Sequence, residues 1–111
     1  MNNRLLAALF VAATLVSCRG EHQPAVAPEL NAIARDYVLL SLTIGEKEDG
    51  YIDAYYGPPE LQAKAKADAP GQSLETLAKR TAELTKRVVA VSGQADGIDQ
   101  RRARFLLAQL T

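Results

Sequence analysis

One sulfur and a short run of tyrosines are the residues whose types and positions could do chemistry here. Cys18 is the only cysteine in 111 residues. A thiolate is a nucleophile and a soft metal ligand. With no second cysteine it forms no disulfide within the chain, and a zinc site needs three or four ligands gathered together. The chemistry left to it is covalent modification of the sulfur. The second group is Tyr51, Asp53, Tyr55 and Tyr56. Phenolic hydroxyls beside a carboxylate can line a pocket for a sugar, a peptide or a cation. They can equally form a small aromatic cluster under a helix corner, each hydroxyl bonded to backbone or water.

What precedes Cys18 decides how its sulfur is used. Asn2, Asn3 and Arg4 form a weakly positive head, and Leu5 to Val16 is apolar but for Thr14. A positive head, an apolar stretch and a small-residue cleavage site make an export signal. A bilayer-spanning helix needs about 20 apolar residues, and this run is shorter. Residues 1–17 are therefore expected to be a cleaved leader rather than a permanent span.

Leu15-Val16-Ser17-Cys18 resembles the bacterial lipobox at all four positions. The resemblance implies that a diacylglycerol is attached to the Cys18 sulfur and that the chain is cut before it. It implies a bacterial lipoprotein held in the cell envelope by its lipid. Arg19 stands where an Asp favours inner-membrane retention, which leans the expectation toward an outer membrane. Two or three acyl chains on one residue hold stably where one holds only marginally.

Residues 18–27 read as the lipidated Cys and a flexible tether, with Gly20, Pro24 and no apolar periodicity. His22, the one histidine, falls there as a solvated side chain with no metal partners nearby. No metal or other cofactor is expected. The whole chain has 13 basic and 13 acidic residues. That balance lacks the basic footprint of a nucleic-acid binder.

Residues 28–111 are expected to form one helical domain. Leu30, Ile33, Tyr37, Leu40 and Ile44 recur at helical spacing. They predict a helix from Pro28 to Ile44, with Gly45 placed to end it. Gly50 and Gly57 bracket a stretch long enough for about two helical turns, in which Tyr51 and Tyr55 would share one face and Ile52 and Tyr56 the next. The acidic residues before it lack the alternation of a calcium loop. A short Lys-rich helix over 60–68 and a turn at Ala69-Pro70-Gly71-Gln72 follow. Ser73 should cap the next helix, with Leu74, Leu77, Leu84, Val88 and Val91 as its buried stripe. A last helix begins near Asp96 or Asp99 and carries Ile98, Phe105, Leu106 and Leu110. Arg101, Arg102 and Arg104 are expected to pair with acids of a neighbouring helix. No strand-like alternation occurs, so the fold class is all-α: a small helical bundle or helical-hairpin fragment.

The run Tyr51 to Glu60, followed later by Arg104 to Leu110, resembles the start of larger uncharacterised helical bacterial proteins. Some of those are similar to zinc-dependent peptidases with a His-Glu-x-x-His helix. This chain contains no such motif, so no catalytic residue is carried over. Two functions follow as expectations. One is a lipid-anchored helical module that binds or scaffolds something at the cell envelope. The other is the non-catalytic N-terminal part of an anchored envelope hydrolase. Phe105, Leu106 and Leu107 keep the last helix apolar on more than one face. The expected partners are therefore the membrane, through the lipid, and either a second copy of the chain or a missing C-terminal region.

Overall fold

The computed structural model describes residues 25–111. The expected leader, Cys18 and His22 lie outside the described residues. The described chain is all-α, with four helices and no strand: α1 Val26–Gly45, α2 Pro59–Asp68, α3 Leu74–Ser92 and α4 Gly97–Leu110. One 3-10 turn, Ala69–Gly71, links α2 to α3.

α1 begins two residues before the expected Pro28, because the Glu29 N–H already reaches the Ala25 carbonyl at 3.1 Å. Pro28 still lies in the first turn, where a missing N–H costs nothing. Gly45 does not end the helix as a cap but is its last residue. The stop comes after it. The Lys47 and Glu48 N–H groups both return to the Ile44 carbonyl, and Gly50 takes a φ of 81° that a side chain would resist. Gly45 is needed for closeness instead. A Cβ there would sit 2.8 Å from Cγ1 of Ile52, which lies across the helix end.

α1 is central because it is apolar on two sides. Leu30, Ile33 and Leu40 meet Leu77, Leu84, Val88 and Val91 of α3 and Ala103 and Leu106 of α4 in the main core. Leu42, flanked by Val38 and Leu39, packs against Leu61 and Ala65 of α2 in a smaller second cluster. Thr43 is fully buried between these faces. Its hydroxyl donates to the Leu39 carbonyl at 2.7 Å, which satisfies a polar group that would otherwise be costly.

Ser73 caps α3 as expected: its hydroxyl accepts the Thr76 N–H at 3.1 Å. Leu74 does not join the stripe and stays exposed. At 3.6 residues per turn it lies roughly 70° from the line through Leu77, Leu84, Val88 and Val91. Ile98 and Phe105 of α4 also face outward, Phe105 at 69% exposure. The inward side of that helix is taken by Ala103 and Leu106.

The arginine pairing differs from expectation. Arg102 bonds Asp99 of its own helix at 3.0 Å and the side-chain oxygen of Asn31 on α1. Arg104 bonds Gln100, also on α4. The α1 acids are engaged elsewhere. Arg87 of α3 donates to Glu29 at 2.9 Å and to Asp36 at 2.6 Å. One guanidinium thus spans two turns of α1 and sets the α1–α3 register. The hydrogen bond to Asp36 chiefly raises the Arg87 pKa, against an opposing desolvation. A raised value means the contribution is complete at neutral pH and fades only as pH climbs through the alkaline range.

Candidate ligand groove

The segment from Tyr51 to Pro58 is not the two-turn helix that its tyrosine spacing suggests. It is irregular between α1 and α2. Gly50 has left helical space before it, and residues preceding a proline are pushed away from it. Gly57 precedes Pro58, and Pro58, itself before Pro59, takes ψ 123°. Between such breaks a stretch this short cannot offset the cost of nucleation.

Laid open, the loop crosses α1 and builds one wall of a groove of about 370 Å³. Tyr37, Val38, Ser41 and Leu42 of α1 form its floor. Tyr51, Ile52, Ala54 and Tyr55 come from the loop, and Gln109 of α4 closes the far side. The Tyr37 hydroxyl and the Gln109 side-chain oxygen stand 3.4 Å apart, a long hydrogen bond across 72 positions of sequence. Tyr55 packs on the second core cluster, and its hydroxyl donates to the Pro58 carbonyl at 3.1 Å. The ring folds over Gly57 so closely that a Cβ there would meet the Tyr55 oxygen at 2.5 Å. Gly57 is therefore what lets Tyr55 lie down.

Two of the four expected site residues meet in this groove, Tyr51 and Tyr55, and Tyr37 joins them. The other two do not. Tyr56 is 97% exposed and points away. Asp53 lines an adjoining depression of about 240 Å³, which shares Leu42, Ile52, Ala54 and Tyr55 with the groove and adds Gly45, Glu46 and Gln62. The helical register had placed Tyr56 one position from Tyr55 on an adjoining face; in an extended loop successive side chains diverge, and the two separate. Ser41 and Gln109 are the functional candidates that sequence reasoning missed. Ser41 lies one turn beyond Tyr37, at the edge of the expected stripe, and as a lone polar residue there it gives no signal of a site. Gln109 is distant in sequence and carries no local signal.

The lining contains no carboxylate, imidazole, thiol or ammonium. It offers phenol rings, hydroxyls and a carboxamide. Such a surface is suited to stacking and hydrogen bonding. A charged groove of about 350 Å³ lies between α1 and α3, with Lys79, Arg80 and Arg87 facing Asp36 and Glu83. Its charges are mixed in sign, and Arg87 is committed to Glu29 and Asp36. Among the described residues no three His, Cys, Asp or Glu side chains gather to hold a metal.

Tyr55 carries weight in the fold as well as in the groove. Tyr55→Ala is expected to destabilise by about 2 kcal/mol, less than a fully buried aromatic because the ring is partly exposed. That corresponds to a fall in Tm of about 10 °C for a domain this small. Tyr51→Ala, at a 52% exposed position, should change stability by under about 0.5 kcal/mol. Thermal melts followed by circular dichroism read both.

Comparison with protein-family models, curated proteins and solved structures found no match to this chain.

Proposed function

We propose that this chain is a lipid-anchored bacterial cell-envelope protein whose helical module binds a ligand in its tyrosine-lined groove. The observation that carries the binding part is the groove itself: three tyrosines from two elements set around an uncharged floor. An apolar concave surface with a few convergent polar groups is the usual form of a ligand site. The anchoring part rests on Leu15-Val16-Ser17-Cys18 at the end of an apolar run. An outer membrane, where the cell has one, is the favoured address, because Arg19 follows the cysteine.

A second reading has its own support. Ile98 and Phe105 are seven apart on one side of α4, and both are exposed. That face suits another domain or another copy, as the non-catalytic part of an anchored envelope hydrolase would require.

No helix among the described residues is long and apolar enough to cross a membrane. Partition into a detergent-rich phase therefore reports the lipid. Extracted from its cells in a cloud-point detergent, the mature chain is expected in the detergent phase. Recovery in the aqueous phase would remove the anchor from the proposal.

A further inference from the structure

We propose that the groove takes a segment of a neutral oligosaccharide, a step that rests on the ligand-binding reading above and names its ligand class. No carboxylate, imidazole, guanidinium or ammonium side chain lines the groove, so an anionic ligand finds no partner there. Around it the loop is acidic: Glu46, Glu48, Asp49 and Asp53 all lie within eight positions and are exposed. These carboxylates repel phosphorylated or uronic ligands.

The second point is shape. A pyranose ring has an apolar C–H face and a rim of hydroxyls. The groove matches both. Tyr37 and Tyr55 supply rings already held in place, one by Gln109 and one by Pro58 and Gly57. Tyr51 stands beside them half exposed, next to Gly50, and is free to lie on a sugar face. Rings fixed before binding lose little entropy when the ligand arrives. Between the rings lie the Ser41 hydroxyl and the Gln109 carboxamide. Each both donates and accepts, as a sugar hydroxyl needs. Thr43, Thr81 and Thr85 return their hydroxyls to the carbonyl four residues back; no such bond is formed by Ser41 among the described residues.

An extended peptide gains affinity from main-chain pairing. The α1 floor is bonded within its helix and offers none; only the irregular wall from Ile52 to Tyr55 carries backbone outside any helix. A peptide is therefore the rival class that the experiment separates.

Isothermal titration calorimetry on the full lipidated chain in a sugar-free zwitterionic detergent tests this. The probes are cellohexaose and the hexamer of N-acetylglucosamine, with an uncharged proline-rich decapeptide as the rival class. Saturable heat with at least one hexasaccharide is expected. Tyr51→Ala should weaken it roughly tenfold, as loss of one stacking ring does, and Tyr56→Ala should leave it unchanged. Saccharide binding indifferent to Tyr51→Ala would overturn the placement in this groove. Binding of the decapeptide alone would overturn the saccharide and leave the groove as a ligand site. No heat with any probe, from a chain that still melts cooperatively, would overturn both. Phase partition of the same preparation reads the lipid anchor independently of all three outcomes.

Discussion

Cys18→Ala is expected to abolish incorporation of labelled palmitate completely. Cys18 is the only sulfur nucleophile in the chain, so no neighbouring thiol can take the acyl group in its place. A hydroxyl at Ser17 is no substitute, because at neutral pH the thiol supplies far more anionic nucleophile than an alcohol does. The variant should also keep its leader, since the proposed cut depends on the modified cysteine. Two readouts therefore move together: label falls to background, and the chain runs larger on a gel by the mass of the leader. Equal label in wild type and variant would refute lipidation at Cys18. Loss of label with normal cleavage would point to an ordinary export signal.

Ile33→Ala should be among the most damaging single truncations of the helical module, at about 2–5 kcal/mol. Ile33 is fully buried in the main core of α1, α3 and α4. Its removal takes away apolar burial and leaves a hole that close-packed neighbours fill only in part. Domains of this size hold only a few kcal/mol in reserve. The loss is therefore a large share of the total and should lower the urea midpoint with little change in slope. Tyr51→Ala in parallel should leave the midpoint nearly untouched. If Ile33→Ala behaves like Tyr51→Ala, the three-helix core described here is wrong.

Much of the helical framework was legible because it is written locally. Leu30, Ile33 and Leu40 announced the α1 stripe, and Ser73 announced the start of α3. All four helices fell within a few residues of their expected bounds. What failed needed information from elsewhere in the chain. The spacing of Tyr51 and Tyr55 is helical, but Gly50 and the prolines beyond Gly57 outweigh it; two breakers around so short a stretch count for more than periodicity within it. The second face of α1, at Val38 and Leu42, went unread because α2 is too Lys-rich to advertise an apolar partner. Nothing local marks Arg87, yet it grips Glu29 and Asp36 from 58 and 51 positions away. Half of the groove follows the same pattern. Tyr51 and Tyr55 were visible as a pair, whereas Ser41 and Gln109 became neighbours only through packing.

The start of α1 at Val26 has a consequence for affinity. Val26 is eight residues beyond Cys18, and eight residues reach at most about 28 Å even when fully extended. α1 itself rises about 30 Å over its 20 residues. A lipidated chain thus confines its groove to a shell within about 60 Å of the bilayer. Short tethers of this kind set local concentrations in the millimolar range. The proposed stacking on two or three tyrosines would give weak solution binding, and in that shell weak binding would suffice. The module would hold surface-bound targets at high occupancy while releasing free fragments quickly, a discrimination by geometry rather than by tightness.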